Sequence, residues 1–331
     1  MSPTAITART LGHSGLQVSS LALGVMMFGR WGNTDEAECH RMLHRALDAG
    51  ITLVDTADMY DDGASEEILG RALRGRRDGV VLATKVGNPM GGDLTRSGLS
   101  RRWIEQAIDD SLRRLQVDHV DLYQMHRPDP STPIDETLEV FDRLVSSGKV
   151  RAIGTSTFTA EQLDQLHTLA GDRGWARPTS EQPPYSALAR GIETSVLPTL
   201  RRWQVGAIVW APLNGGWLTG KYQSVDGDAT SRAQRQPDHF DHRDEAMRTE
   251  KRSLVAQLLA IADEAGMTLP QLALAFVLDD PSVSAAIIGP RTEQQLAQLL
   301  DLGPLVLPDG VRARIDAVVA PGRNVNPNDA G

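Results

Sequence analysis

Asp55, Tyr60, Lys85 and His126 close or follow three short apolar runs: ITLVD (51–55), VVLATK (80–85) and VDLYQMH (120–126). These residue types suit one kind of chemistry. A buried lysine is costly unless paired, and an aspartate at a neighbouring strand end is the right partner. A free phenol titrates near a pKa of about 10, so at neutral pH it is a reluctant proton donor. An ammonium beside it favours the phenolate and lowers that value. A histidine on the next strand can orient or polarise a carbonyl. Together they read as a proton-delivery site for carbonyl chemistry. Singly, each has a structural reading. Asp55 could satisfy loop amides, Tyr60 could be rim packing with a wet hydroxyl, Lys85 could snorkel, and His126 could be a hydrogen-bonded spectator.

The elements that position them follow from period and punctuation. Eight apolar runs, at 21–24, 51–55, 80–85, 120–126, 150–156, 179–183, 205–211 and 285–289, each precede an amphipathic helical stretch. Nearly every position in them is apolar, as parallel strands buried on both faces require. The pattern predicts an α/β fold, a closed (β/α)8 TIM barrel, with the chemistry at the C-terminal ends of the strands. A doubly wound open sheet is the alternative; if it bound a dinucleotide it should carry Gly-x-Gly-x-x-Gly after the first strand, and none occurs. One domain spans 1–331, with a long loop at 212–248 after the seventh strand, an extra C-terminal helix and a flexible tail at 321–331. Helix starts at Thr159, Thr268 and Thr292 share Thr-x-x-Gln, a capping-box pattern, and Thr132-Pro133 reads as an N-cap followed by proline.

Composition narrows the partners. The 331 residues are 40% hydrophobic and 23% charged, with a net charge of −9, which argues against nucleic acid as a partner. Cys39 is the sole cysteine, which suits a reducing cytoplasm, and neither a signal core nor a membrane span is expected. No metal is expected, because a metal-dependent barrel needs clustered ligands at strand ends and only His126 is so placed. No Tyr-x-x-x-Lys is present for short-chain reductase chemistry.

Seven ordered segments, GITLVDTADMYDDGASEEILG, VLATKVG, DHVDLYQMHRPD, VRAIGTSTF, EQPPYS, WAPLNGGWLTGKY and IIGPRTEQQL, resemble the aldo-keto reductase family from about residue 9 to 302. The likeness is to its potassium-channel β-subunit-like branch. The resemblance implies Asp55, Tyr60, Lys85 and His126 as a catalytic tetrad, with Tyr60 the acid in reduction of an aldehyde or ketone. It implies NADPH, with NADH possible, bound without a Rossmann fingerprint. Ser156, Thr157 and Gln182 would hold the carboxamide, and Tyr185 would stack on the nicotinamide. Trp210, Pro212, Leu213, Asn214 and Gly216 would line the cofactor toward its pyrophosphate, with Lys221 nearby and Arg232 over it. Gly289, Arg291, Gln295 and Gln298 would hold the adenosine end. Arg291 beside a helix start suits a 2′-phosphate.

The sequence departs from the family pattern in three places. Thr157 stands for the usual asparagine, Asp61 for a glycine, and Gln298 and Leu299 for a Glu and an Asn. Met27, Phe28, Trp31, Met59 and Trp217 could line an apolar substrate pocket or could be packing. In the acidic loop, Asp58, Asp61 and Asp62 are expected as turn formers and rim charge, with Ser65 capping the next helix and Glu66 in its first turn. The expected partner is a small-molecule carbonyl, and the sequence does not set an oligomeric state. The family also admits a nicotinamide-binding regulatory subunit with little turnover.

Overall fold

A computed structural model describes residues 6–223 and 244–330. Two three-residue strands, β1 (Ala8–Thr10) and β2 (Gln17–Ser19), form an antiparallel hairpin ahead of the first apolar run. The eight runs then become β3 (Leu21–Gly24), β4 (Leu53–Asp55), β5 (Val81–Val86), β6 (Val120–Met125), β7 (Val150–Thr155), β8 (Ser180–Glu181), β9 (Gly206–Val209) and β10 (Val283–Ile288). All pair in parallel, and β10 pairs with both β9 and β3, closing the barrel. The expected TIM barrel is present.

Helices α1 (Glu36–Asp48), α2 (Ala64–Ala72), α3 (Arg101–Leu115), α4 (Ile134–Ser146), α5 (Ala160–Arg173) and α6 (Val196–Trp203) follow β3 to β8 in turn. Beyond β9 lie α7 (Glu245–Glu264) and α8 (Leu269–Leu278); beyond β10 lie α9 (Glu293–Leu300) and the extra helix α10 (Val311–Val318). No single helix among the described residues is long and apolar enough to cross a membrane.

Strand side chains alternate, so every second residue enters the lumen. Ala22, Leu53, Ala83, Leu122, Ala152, Ile208 and Ala285 form one lumenal cluster, joined by Leu11 and Val18 of the hairpin segment. Two residues further along the strands, Leu53 gives way to Asp55, Ala83 to Lys85, and Leu122 to Gln124. An apolar plug therefore carries a polar layer on top. Gly154, two residues after Ala152, leaves room for that layer: a Cβ there would run into Ser180 Oγ and lie 3.2 Å from Cγ of Gln124.

The caps partly follow expectation. Thr159 and Thr268 form complete capping boxes. Thr292 accepts from the Gln295 N–H, but the Gln295 side chain turns to the Arg291 N–H at 2.8 Å, so half that box is diverted. Pro133, not Thr132, is the N-cap of α4. Gly63 at φ 94° starts α2, and Ser65 lies inside it with its hydroxyl donating to Val25 O.

The segment expected to be a flexible tail is held to the barrel. The Val325 N–H donates to Leu188 O at 2.9 Å, and Asn324 Oδ1 accepts from the Gly191 N–H at 2.7 Å. Arg232 and the middle of the expected 212–248 loop lie outside the described residues.

Candidate active site

The parallel ladder continues past β4 and so delivers Tyr60. Thr56 N–H donates to Ala83 O at 2.9 Å and Asp58 N–H to Lys85 O at 3.2 Å, laying the loop along β5. The chain then turns through Asp61 (φ 50°) and Asp62 (φ 56°), a left-handed conformation that aspartate tolerates better than most residues. Asp61 is no rim charge. It is buried and accepts from the Arg30 backbone N–H at 2.7 Å and Nε at 2.8 Å, tying this turn to the β3 loop. Asp62 is exposed and accepts from the Gly91 N–H, as a turn residue should.

Asp55, Tyr60, Lys85 and His126 converge. Lys85 is 0% exposed, and its Nζ donates to Asp55 Oδ2 at 2.6 Å, Thr56 O at 2.8 Å and Tyr60 OH at 3.3 Å. The other Asp55 oxygen accepts from Gln182 Nε2 at 2.9 Å and Gln124 Nε2 at 3.2 Å. The His126 ring stands edge-on to Tyr60, centroids 5.8 Å apart at 83°.

The electrostatics correct one expectation. Burial pushes the Tyr60 phenol above its ordinary value, Lys85 pulls against this without overcoming it, and Asp55 adds to the rise. The phenol is held protonated. Burial works against the Lys85 ammonium, but Asp55 and Tyr60 together hold its pKa above the ordinary value. Burial, then Lys85 and Arg127, push His126 well below its usual range, so its imidazole is neutral. The site thus holds a neutral acid beside a fixed cation, with a neutral imidazole facing it.

Around the tetrad, Ser156 Oγ donates to Gln182 O at 2.8 Å. Thr157 sits at φ 58°, rare for a β-branched residue. Its hydroxyl accepts from Arg127 at 2.7 Å and donates to Ser156 O, so the oxygen at this departed position is engaged within the protein. Tyr185 does not offer a stacking face. It is 1% exposed, its ring packs on Phe276 with centroids 5.5 Å apart, and its hydroxyl donates to Glu193. The half-buried aromatic at the neighbouring strand end is Trp210, beyond β9.

The loop after β9, expected at the pyrophosphate, is a tight left-handed turn. Asn214, Gly215 and Gly216 are successively left-handed (φ 46°, 62° and 100°), and the Asn214 and Gly216 N–H groups donate to Ala211 O at 2.8 Å and Leu213 O at 2.9 Å, so these two amides are engaged within the turn. The exposed Lys221 reaches over it, its Nζ 2.9 Å from where a Cβ at Gly216 would lie, and φ 100° there favours glycine. Pro212 is buried and Leu213 half-buried beside it. At the far end Gly289 is open, Arg291 is half-buried at the start of α9 with no carboxylate in ion-pair range among the described residues, and Gln298 is exposed.

Of the expected substrate residues, Trp31 stands over Tyr60 at 6.1 Å between centroids, and Met59 is half-buried next to it. Met27 and Phe28 are buried. Trp217 is 1% exposed and packs edge-on against Tyr222, so it belongs to the core and not to a pocket wall. Asp58 and Glu66 are also buried. Glu66 accepts from Thr84 at 2.6 Å and Arg114 at 2.7 Å, while neither Asp58 oxygen has a hydrogen-bond partner.

Sequence reasoning passed over Gln124, whose amide orients Asp55, and Arg127, which holds Thr157. It also passed over Glu181, raised to about 7 by burial while accepting from Thr155 and the Phe158 N–H. The lumenal alternation after Leu122 was the signal for Gln124. Among the described residues, no three His, Cys, Asp or Glu side chains are grouped to hold a metal ion.

A closed parallel barrel with this tetrad at its strand ends defines a carbonyl-active oxidoreductase, and the comparisons agree. The model of the aldo/keto reductase family matches residues 20–320, and the chain belongs to that family. It is 41% identical over 298 residues to an uncharacterized oxidoreductase of Bacillus subtilis (strain 168), YrpG, covering 86% of this chain and 87% of the relative. A probable voltage-gated potassium channel subunit beta of Oryza sativa subsp. japonica is 35% identical, covering 94% and 96%. The L-glyceraldehyde 3-phosphate reductase of Escherichia coli (strain K12) is 33% identical, covering 95% and 92%. The chain is an NAD(P)H-dependent oxidoreductase.

Proposed function

We propose that the chain reduces an aldehyde or ketone to the alcohol with NADPH as reductant, and that Tyr60 supplies the proton. The observation that carries this reading is the position of Lys85 Nζ, buried between Asp55 at 2.6 Å and the Tyr60 hydroxyl at 3.3 Å. When bound, the reduced nicotinamide supplies a hydride to the carbonyl carbon. The neutral His126 orients the carbonyl oxygen toward Tyr60. As charge develops on that oxygen, the phenol gives up its proton, and the resulting phenolate is stabilised by the Lys85 ammonium it already touches. Asp55 holds that ammonium, and Gln124 and Gln182 hold Asp55. The phenolate regains its proton from solvent, closing the balance.

On this reading Gln182 and Ser156 would hold the carboxamide, Trp210 in place of Tyr185 would face the ring, the 212–216 turn with the Lys221 ammonium would meet the pyrophosphate, and Arg291 with Gln295 a 2′-phosphate. The acidic, single-cysteine composition supports a cytoplasmic setting. A carbonyl panel assayed with NADPH and with NADH, followed by absorbance of the reduced nicotinamide, tests the reading. Turnover faster with NADPH is expected, and none with any aldehyde or ketone would refute it. The potassium-channel subunit relatives favour a second reading, a nicotinamide-binding sensor with little turnover. It predicts tight cofactor binding in the same panel with no oxidation beyond a single equivalent.

A further inference from the structure

The C-terminal segment grips both loops that the proposed cofactor would touch. On one side, Arg190, 1% exposed, donates to Asp316 at 2.6 Å and to Glu193 at 2.9 Å, and Glu193 accepts the Tyr185 hydroxyl at 2.6 Å. This fastens the loop after β8 to the end of α10. On the other side, Lys251 of α7 is 0% exposed, and its Nζ donates to Asp329 Oδ2 at 2.8 Å and to Asn214 Oδ1 at 3.1 Å. Asn214 Nδ2 donates back to the same Asp329 oxygen at 3.0 Å, closing a three-membered ring of buried polar groups. Nδ2 also lies 3.5 Å from Ser186 Oγ in the β8 loop, so the two loops meet at this asparagine.

Asn214 is where the left-handed run of the loop after β9 begins. A non-glycine residue held at φ 46° needs its surroundings to keep it there. The ring does so: both ends of its amide are bound, one to an ammonium and one to a carboxylate, and neither partner belongs to the loop. Burying Lys251 in turn requires a paired anion. Asp329, beyond every strand and beyond α10, supplies one.

We infer that Asp329 is a positioning residue for dinucleotide binding, which it shapes through Lys251 and Asn214 without touching the ligand. The inference rests on the cofactor reading above, and its test separates the two. Asp329→Ala, Asp329→Asn and the double variant Asp329→Ala/Lys251→Met are compared with the full-length wild type. Three readouts are taken: the dissociation constants of NADPH and NADH by quenching of tryptophan fluorescence, KM and kcat for the reduction, and the rate of amide hydrogen exchange across 211–223. Asp329→Ala should weaken both dinucleotides tenfold or more and raise the cofactor KM in step. The kcat at saturating cofactor should change less than threefold.

Exchange in 211–223 should speed up tenfold or more, with protection of the barrel strands retained. Asp329→Asn should fall between. The double variant removes both groups that bind the Asn214 amide, so it should bind the dinucleotides no more tightly than Asp329→Ala, although it no longer buries an ammonium without its carboxylate and should regain part of the lost stability. Unchanged affinity and unchanged exchange in Asp329→Ala would overturn the inference. So would a loss of protection spread evenly over the barrel, or a double variant with wild-type affinity. If the wild type binds neither dinucleotide, the cofactor reading fails, and the exchange rates alone decide whether Asp329 shapes the loop.

Discussion

Two lysines of this chain are buried completely, and each is paired with an aspartate at nearly the same distance, 2.6 Å for Lys85–Asp55 and 2.8 Å for Lys251–Asp329. The pairs differ in their third member. Lys85 also touches the hydroxyl of Tyr60, a half-buried group that can ionise; Lys251 touches the side-chain oxygen of Asn214, which is buried and cannot. The same ion pair therefore does two jobs. In the proposed reaction the pair beside the phenol stabilises a charge that appears only during proton transfer, and in the inference above the pair beside the amide fixes the shape of a loop. A buried pair is itself weak evidence of purpose. The group it presents to the outside decides.

The largest effect should come from removing that group. Tyr60→Phe is expected to lower kcat by about a thousandfold, the range for a lost general acid, while NADPH still binds within a fewfold of wild type. Near-normal turnover by the purified variant, measured as NADPH oxidation, would remove Tyr60 from the chemistry and erase the contrast. Next come the two lysines. Lys85→Met and Lys251→Met each leave an aspartate without its cation, and each should cost about 3–5 kcal/mol in denaturant unfolding. Their catalytic effects should diverge. Lys85→Met is expected to lower kcat by about a hundredfold or more, because the phenolate loses its cation, whereas Lys251→Met acts mainly on cofactor affinity. Equal kcat losses in the two would mean that the Lys85 pair is a strut as well.

The same contrast shows which parts of the molecule were legible beforehand. The eight strands were, because a parallel strand buried on both faces must be apolar throughout, and a polar residue ending it stands out. That is how Asp55, Lys85 and His126 announced themselves. The β1–β2 hairpin was not, since Ala-Arg-Thr and Gln-Val-Ser carry no apolar run. Lys251 lies in a helix where charged residues normally face solvent, and nothing local says that a carboxylate from the chain end will meet it. The tail itself, APGRNVNPNDAG, has the composition of a flexible segment; a few specific hydrogen bonds from Asn324, Val325 and Asp329 hold it. Tyr185 and Trp217 failed for a related reason. An aromatic next to a strand end can turn into the core or into the mouth, and only the packing of Phe276 and Tyr222 decides which.

At the adenosine end the contrast is between a cation with a built-in partner and one without. Arg291, unlike the two lysines, has no carboxylate in ion-pair range among the described residues. The amides beside it are engaged, the Arg291 N–H by Gln295, the Glu293 N–H by Glu38 and the Gln295 N–H by Thr292, so the guanidinium itself is left to meet a phosphate. Arg291→Ala should therefore weaken NADPH by about 10- to 100-fold, the scale of one charge-assisted contact, and NADH by less than about twofold. Titrations with both cofactors check this. Equal losses would assign the arginine to the shared part of the dinucleotide and leave the 2′-phosphate without a partner here.

The smallest effect tests a buried acid that has no cation of its own. Asp58 lies two residues before Tyr60, 0% exposed, with no side-chain partner and only the Met59 N–H close enough to favour its charge weakly. Burial, and then Glu66, push its carboxyl well above the ordinary range, while Arg114 and Lys85 pull the other way. A carboxyl whose folded pKa is raised binds its proton more tightly in the native state than in the unfolded chain. Its contribution to stability is therefore complete below the unfolded value of about 3.9 and is lost as pH rises through the folded one. Asp58→Asn keeps the shape and cannot ionise. It should melt close to wild type at pH 5 and about 2–4 °C above it at pH 9, a shift of roughly 1–2 kcal/mol. Equal melting at both pH values would mean that Asp58 stays protonated to pH 9; an advantage of the variant already complete at pH 5 would mean that Asp58 is ionised there, and that Lys85 shares its charge with a second carboxylate. In that case the pair beside the phenol would be a triad, and the parallel with Lys251 would be closer than the distances alone suggest.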